Sequence, residues 1–279
     1  MLADVTARLA AAGIEGAARE ARWLVERATG RGPAEVLAAL GEPATVRAAT
    51  HVEAMAGRRA AGEPLQYVLG RWPFRTLDLY VDRRVLIPRP ETEALAGAAL
   101  AECERLDARL AVDLGTGSGA VALALAAERP GLVVWGTDAS EEALAVARAN
   151  LAGLGQAAGR VRLAAGDWFD ALPADVAGEV AVVVANPPYV AEAEMAELPE
   201  AVRDWEPAAA LCSGPSGLEA VGRIVGDAPR WLARPGALLV EVAPHQAARA
   251  RALARAAGFA SATVWPDLAG RDRVLLARL

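Results

Sequence analysis

The chain of 279 residues is 54% hydrophobic and has a net charge of −6, which allows one large domain or two ordinary ones and argues against a protein that grasps nucleic-acid phosphates. Its two cysteines and two histidines are too few and too scattered for a disulfide framework or a His-rich metal site, so we expect no metal and a cytoplasmic protein. We also expect neither a signal peptide nor a membrane span, because no apolar run reaches roughly 18 residues.

Residues 1–72 carry apolar side chains at the spacing of amphipathic helices, as in the series Val5, Leu9 and Ala12. Glycine and proline clusters divide this region into short segments, which predicts a bundle of about four helices. In residues 73–88 apolar and polar side chains alternate instead, which is typical of strands. We expect a short β-hairpin there that links the bundle to the rest of the chain.

From residue 89 onward, helical and strand patterns alternate, which indicates βαβ units and a parallel sheet. A stiff proline-rich segment leads into a helix that begins near Thr92. The predicted strands cover residues 110–114, 133–137, 161–164, 180–185, 237–242, 260–265 and 273–279, and the predicted helices cover residues 120–128 and 141–151. The last two strands form a hairpin with a turn at 267–270, which places one antiparallel strand in the sheet. The prediction is a Rossmann-like α/β domain with a mostly parallel, seven-stranded sheet over residues 89–279.

A glycine-rich loop follows the first predicted strand of this domain and runs Asp113-Leu114-Gly115-Thr116-Gly117-Ser118-Gly119. Glycines allow a tight turn and the close approach of a ligand, and exposed N–H groups at a helix start favour an anion. Asp138 ends the next strand, where a carboxylate can accept both hydroxyls of a ribose. The loop resembles both a dinucleotide fingerprint and the S-adenosyl-L-methionine loop of class I methyltransferases, in which Asp113 would lie near the methionine ammonium. The predicted cofactor-binding residues here are Asp113, Gly115, Thr116, Gly117, Ser118, Gly119 and Asp138.

A rigid corner, Asn186-Pro187-Pro188-Tyr189, follows the apolar strand 180–185. The prolines cannot donate to a strand ladder and each has a fixed φ, so the strand stops at the edge where α/β sheets bind ligands. The corner resembles the motif of methyltransferases that modify an amino group conjugated to a planar system, either a nucleobase amine or a side-chain amide. The Asn186 oxygen and the Pro187 carbonyl can each accept one N–H, and Tyr189 can stack on the substrate. This resemblance favours S-adenosylmethionine over a dinucleotide.

Asp167 and Trp168 follow the third parallel strand. Their position suits an adenine, with a carboxylate for the exocyclic amine and an aromatic ring beside the base. Asn186 is also expected to contact the cofactor. A structural role is predicted for Glu241, at the end of the fifth strand.

Taken together, the motifs resemble the protein-(glutamine-N5) methyltransferases that act on peptide chain release factors, the HemK/PrmC type. The matching segments are residues 63–70, Val85 to Glu93 with Pro88-Arg89-Pro90-Glu91-Thr92-Glu93, 113–125, 166–168, 186–189, 206–207 with 210–211, and 267–273. They run in order from about residue 60 to the end, whereas the first 60 residues match only in helical character. One departure is the segment 242–246, where relatives tend to have glycine after the strand.

The resemblance implies methyl transfer from S-adenosylmethionine to the amide nitrogen of the glutamine in the Gly-Gly-Gln loop of class I release factors. It implies that the N-terminal bundle helps to dock the release factor. The substrate-binding residues predicted on this basis are Asn186, Pro187, Pro188, Tyr189, Arg89 and Glu91, of which Asn186, Pro187 and Tyr189 would be catalytic.

Three alternatives stay open. A sister enzyme could methylate a glutamine of a ribosomal protein, although its relatives differ around residues 88–93. A nucleic-acid amino methyltransferase uses a similar corner, but the negative charge argues against it. A catalytically silent module that binds the cofactor or a translation factor is disfavoured by the intact Asn186 and Tyr189. We expect a monomer with no direct nucleic-acid or membrane partner.

Overall fold

The computed structural model describes residues 1–267 and 269–279, and these divide into two compact units. The smaller unit contains residues 1–71 and 199–205, and the larger contains 72–198 and 206–279. Residues 73–88, predicted as a linker, are grouped with the larger unit. Residue 268, within the predicted turn at 267–270, lies outside the described residues. No helix in the described part of the chain is both long and apolar enough to cross a membrane.

The smaller unit is helical. Its first five helices are α1 (Leu2–Ala11), α2 (Ala17–Thr29), α3 (Pro33–Ala38), α4 (Val46–Ala60) and α5 (Leu65–Leu69). Leu9, Leu24 and Val52, from three of these helices, are completely buried together. Arg59 of α4 donates to the buried carboxylate of Glu20 in α2 over 2.7 Å, so the interface between these two helices combines an apolar core with an ion pair.

The remaining elements follow in chain order. They are β1 (Trp72–Phe74), β2 (Leu77–Leu79), α6 (Pro90–Arg105), β3 (Leu110–Leu114), α7 (Ala120–Glu128), β4 (Val133–Asp138), α8 (Glu141–Ala152), β5 (Val161–Ala165), β6 (Val180–Ala185), α9 (Glu200–Arg203, in the smaller unit), α10 (Glu219–Trp231), β7 (Leu232–Glu241), α11 (Ala247–Ala256), β8 (Ser261–Pro266) and β9 (Asp272–Arg278). The predicted hairpin corresponds to β1 and β2, which pair antiparallel.

The large sheet has seven strands in the order β5-β4-β3-β6-β7-β9-β8. β9 runs antiparallel to both of its neighbours, and the other strand pairs are parallel. This confirms the predicted α/β fold with its antiparallel C-terminal hairpin.

The sequence pattern was less informative between β5 and β9. Short 3-10 turns, not an α-helix, join β5 to β6. Strand β7 begins at Leu232, earlier than the predicted start at residue 237. The prediction began too late because Pro235 and Gly236 interrupt the apolar pattern of the strand. Helices α10 and α11 have no predicted counterpart, and α10 contains Pro229 in its interior, a residue that normally indicates a helix end.

The order of the strands reverses beside β3, whose two neighbours are β4 and β6. Their registers align Leu114 with Thr137 on one side and with Ala185 on the other. The carboxyl ends of these three parallel strands therefore meet at one edge of the sheet, the place where open α/β sheets bind ligands. The glycine-rich loop, Asp138 and the corner all follow these ends.

The helical unit offers a test of its apolar core. Replacing Leu24, which is 0% exposed in α2, by Ala removes buried methyl groups and leaves a cavity, so we expect its free energy of unfolding to fall by about 2–5 kcal/mol. Leu37→Ala in α3 is the matched control, because Leu37 is 53% exposed and its loss should cost less than about 0.5 kcal/mol. Urea unfolding followed by circular dichroism measures both, and equal effects would contradict the described core.

Candidate functional site

The glycine-rich loop connects β3 to α7 through backbone conformations that favour glycine. Gly115, Gly117 and Gly119 have φ angles of 69°, 55° and 84°, a left-handed region that side chains rarely tolerate. The Thr116 N–H donates to the carbonyl of Thr137 in β4 over 2.8 Å. Asn150 of α8 also donates to the Ser118 carbonyl over 2.8 Å. The loop is thus held against both the neighbouring strand and α8.

Asp113 joins the loop to the helix that follows it. One oxygen of this buried carboxylate accepts from the Thr116 hydroxyl at 2.6 Å and from the Ala122 N–H at 3.0 Å. Burial raises the pKa of Asp113 to about 7, and the nearby charge of Asp138 adds to the increase. Both hydrogen bonds use Oδ2, which leaves Oδ1 to the cavity.

Asp138 lies at the end of β4, opposite the loop. Its carboxylate accepts from the Gly117 N–H at 2.8 Å and from the Ser140 N–H at 2.9 Å, one bond on each oxygen. Each carboxylate oxygen can accept a second hydrogen bond. Burial raises the pKa of Asp138 above its usual range. The two N–H groups fix the orientation of its carboxylate.

The Trp168 ring packs against the glycine-rich loop. A Cβ added to Gly115 would lie 3.2 Å from this ring, and Trp168 itself has a positive φ of 50°. Its neighbour Asp167 is exposed, with an oxygen 3.4 Å from Arg223 of α10. The tryptophan therefore forms a wall of the site, and the aspartate stays accessible at its rim.

A cavity in the larger unit brings most of the predicted residues together. The predicted site residues that line it are Asp113, Gly115, Thr116, Gly117, Ser118, Asp138, Asp167, Trp168, Asn186 and Pro188. Thr92 and segments 84–86 and 207–210 also contribute to its wall. Gly119 begins α7 behind the loop, where Leu123 packs 3.0 Å from the position of an added Cβ.

The corner after β6 is tied to two other elements by a chain of side-chain hydrogen bonds. The Asn186 amide nitrogen donates to the Thr92 hydroxyl over 3.1 Å, and that hydroxyl donates to Glu241 over 2.9 Å. The Tyr189 hydroxyl lies 3.5 Å from the other oxygen of Glu241. Burial raises the pKa of Glu241 to about 7 and that of Tyr189 to about 12.

Two residues of this hydrogen-bond network, Thr92 and Glu241, have roles that the sequence motifs did not reveal. Thr92 appeared only as a helix start and within a segment that matches the family, and the role predicted for Glu241 was structural. The available signal was position, because Glu241 ends β7, the strand next to β6, and polar residues at adjacent strand ends meet at one edge.

The backbone of the corner is held from a second side. Gln246 donates to the Tyr189 carbonyl over 2.8 Å and to the Gly217 carbonyl over 3.1 Å, and its oxygen accepts from the Ala243 N–H. Gly217 approaches so closely that an added Cβ would lie 2.5 Å from the Tyr189 carbonyl oxygen. The segment that departs from the family pattern thus supplies, in Gln246, the side chain that anchors the corner.

Arg89 and Glu91 each form an ion pair in this unit. Arg89 pairs with Glu206, whose buried carboxylate also accepts from the Ile87 N–H over 3.2 Å. Glu91 pairs with Arg271 at 3.0 Å. These pairs tie the start of α6 to two distant loops, and contact of Arg89 and Glu91 with a substrate stays a prediction. Pro187, the second residue of the corner, is buried.

Comparison with known proteins gives matches along the whole chain. The family model of the PrmC N-terminal domain matches residues 1–70, and that of the methyltransferase small domain matches residues 95–202. A release factor glutamine methyltransferase of Cereibacter sphaeroides is 44% identical over 98% of this chain and 95% of its own length. That of Moorella thermoacetica is 42% identical over 99% of this chain and 96% of its own length.

A solved structure adds evidence on the fold alone. The N-terminal domain of human METTL16, in complex with SAH, is similar over 78% of this chain and 81% of that chain, with a TM-score of 0.53 and 18% identity. The fold is thus shared with a protein that is remote in sequence.

Gly217 provides a test of how tightly the corner is held. Gly217→Ala places a Cβ 2.5 Å from the Tyr189 carbonyl oxygen at a φ of 72°, so we expect the free energy of unfolding to fall by more than about 2 kcal/mol. Gly222→Ala in α10 is the control, because nothing lies within 4 Å of its added Cβ, and it should stabilise the helix by about 0.5–1 kcal/mol. Urea unfolding distinguishes them, and a neutral Gly217→Ala would refute the close approach.

The raised pKa of Asp113 predicts a pH dependence of stability. The pKa is about 7 in the folded state and about 4 in the unfolded chain, so folding takes up a proton between these values and the free energy of unfolding falls as the pH rises through this range. Asp113→Asn lacks this loss because its amide does not titrate in this range, and its oxygen can still accept the same two hydrogen bonds.

We expect the stability of Asp113→Asn relative to the unmodified protein to increase from about pH 4 to about pH 7 and to stay constant above that. Urea unfolding of both proteins without cofactor, at a series of pH values, measures this difference. A difference independent of pH would contradict the raised pKa.

Proposed function

The chain belongs to the release factor glutamine methyltransferases, and we propose that it transfers a methyl group from S-adenosylmethionine to the side-chain amide nitrogen (N5) of the glutamine in the Gly-Gly-Gln motif of class I release factors. One observation carries the proposal. The Asn186 amide, held by Thr92, lines the same cavity as the glycine-rich loop and Asp138. An acceptor for a substrate N–H and the features of a cofactor site therefore converge on one space.

The residues of the cavity fit S-adenosylmethionine. Each oxygen of Asp138 already accepts one backbone N–H and retains a lone pair for a ribose hydroxyl. The free Oδ1 of Asp113 suits the methionine ammonium, and Asp167 with Trp168 suits the adenine. When bound, the cofactor would supply a methyl group made electrophilic by its sulfonium sulfur.

The corner suits the other reactant. An amide nitrogen is a weak nucleophile, because its lone pair is delocalised into the carbonyl group. The Asn186 nitrogen is engaged by Thr92, so the Asn186 oxygen is available to accept one substrate N–H, and the Pro187 carbonyl can accept the other. Two fixed acceptors orient the nitrogen before reaction and favour its pyramidal form, which requires no strong base. The Tyr189 ring would stack on the flat face of the amide.

We propose a division of labour along the chain. Residues 1–72 dock the release factor, residues 73–88 join the two parts, and residues 89–279 carry out the transfer. The match of residues 1–70 to the PrmC N-terminal domain supports the first assignment, as do the exposed side chains of Leu37, Leu40 and Val46, since exposed apolar groups favour a protein partner.

The proposal includes the setting of the enzyme. We propose that it acts in the cytoplasm, as a monomer and without direct contact to nucleic acid. The two free cysteines, Cys103 and Cys212, and the net charge of −6 support this setting.

A transfer assay with labelled methyl groups tests the function. We expect the purified protein to label a class I release factor but not a release factor in which the motif is changed to Gly-Gly-Ala. Asn186→Ala should lower the rate by at least about 100-fold, as expected for the loss of a group that acts on the reacting centre, while circular dichroism and thermal unfolding show an intact fold. Label on a ribosomal protein or on nucleic acid, with none on the release factor, would overturn the proposal.

A further inference from the structure

We propose that Thr92 and Glu241 are positioning residues that hold the Asn186 amide in one of its two orientations, with its oxygen directed at the substrate. This inference rests on the function proposed above, in which that oxygen accepts a substrate N–H. It assigns a catalytic purpose to a buried carboxylate and a buried hydroxyl that the transfer itself does not use.

The three side chains come from distant parts of the sequence. Asn186 follows β6, Thr92 lies in the first turn of α6, and Glu241 is the last residue of β7. Thr92 is 4% exposed and Glu241 is 1% exposed. Water therefore has little access to either group, and the Thr92 hydroxyl proton is satisfied by Glu241.

The direction of the hydrogen bonds follows from the chemistry of the groups. A threonine hydroxyl has one proton to donate and lone pairs to accept, whereas an ionised carboxylate only accepts. Because the Thr92 proton is committed to Glu241 at 2.9 Å, Thr92 can offer Asn186 only a lone pair. The amide must then direct its nitrogen at Thr92, 3.1 Å away, and its oxygen away from Thr92.

The opposite orientation of Asn186 would be harmful. The two ends of an amide have nearly the same shape, so packing alone cannot distinguish them. A flipped Asn186 would direct its NH2 group at the substrate NH2 group, donor against donor. A hydrogen bond that distinguishes the amide nitrogen from the amide oxygen is therefore needed. The hydroxyl of Thr92, oriented by Glu241, supplies it.

Charged groups around Glu241 offset only part of the cost of burying it. Arg273, itself buried, favours the ionised carboxylate, whereas Glu91 opposes it, and the Tyr189 hydroxyl lies 3.5 Å away. Arg273 also donates to the Val242 carbonyl next to Glu241. The charged, accepting form of Glu241 is thus supported by one cation and by the Thr92 hydroxyl.

Four variants test the inference. Thr92→Val keeps the shape of the side chain and removes the hydroxyl, whereas Thr92→Ser keeps the hydroxyl. Glu241→Gln removes the negative charge that accepts the hydroxyl proton. The fourth is the double variant with Thr92→Val and Glu241→Gln. Glu102→Gln is the matched control, because Glu102 is a carboxylate of α6 that is likewise buried, at 2% exposure, but pairs with Arg278 and Arg105. For each protein, steady-state kinetics give kcat and the KM values for cofactor and release factor, and thermal unfolding reports stability.

We expect Thr92→Val and Glu241→Gln each to lower kcat by about tenfold or more, with both KM values changed by a smaller factor than kcat because a single contact at the reacting amide is a small part of ground-state binding. Thr92→Ser should restore most of kcat. The double variant should be no slower than the slower single variant, because both changes act through the same hydroxyl. Glu102→Gln should leave kcat unchanged whatever its effect on stability.

Several results would overturn the inference. An unchanged kcat in Thr92→Val would do so, as would a loss of stability or cofactor affinity in Thr92→Val and Glu241→Gln without an effect on kcat. Multiplicative losses in the double variant would show that Glu241 acts by another route. If the unmodified protein labels a different substrate, the proposed function fails, and the same kcat comparison on that substrate still decides the roles of Thr92 and Glu241.

Discussion

The site depends on one constraint, the parallel pairing of β3 with β4 on one side and β6 on the other. Parallel strands bring their carboxyl ends to the same edge of a sheet, and the strand order reverses at β3, so the connections leave that edge open. Asp113, Asp138 and Asn186 lie at or just after the ends of these three strands. A change in the strand register at β3 would move the glycine-rich loop away from the corner. The two could then no longer line the same cavity.

Three buried or nearly buried carboxylates give this edge its chemistry. Asp113, Asp138 and Glu241 each lose hydration, and burial raises the pKa of all three. Each is compensated by donors from the protein, namely backbone N–H groups or a threonine hydroxyl. Burial of such groups costs free energy, but their donors fix them in place before any ligand arrives, and this preorganisation is what a site for oriented transfer requires. Gln246 and Gly217 do the same for the backbone of the corner.

Membership in the release factor glutamine methyltransferases explains why the two halves of the site occur together. We propose that the glycine-rich loop and Asp138 hold the cofactor and that the corner holds a planar amide. The pair becomes specific only when a surface presents the right protein amide. The match of residues 1–70 to the PrmC N-terminal domain agrees with a separate unit for that task.

The sequence by itself determined the features that rest on local backbone chemistry. The glycines of the loop appear where φ is positive, the prolines of the corner end β6, and the strand and helix alternation specified the sheet, including its antiparallel hairpin. Only the tertiary structure decided which distant side chains complete the site. Thr92 and Asn186 are 94 positions apart, Thr92 and Glu241 are 149 apart, and Tyr189 and Gln246 are 57 apart. Such contacts leave no periodic or spacing signal, because they depend on which strands are neighbours, and that order is set by the packing of the whole sheet.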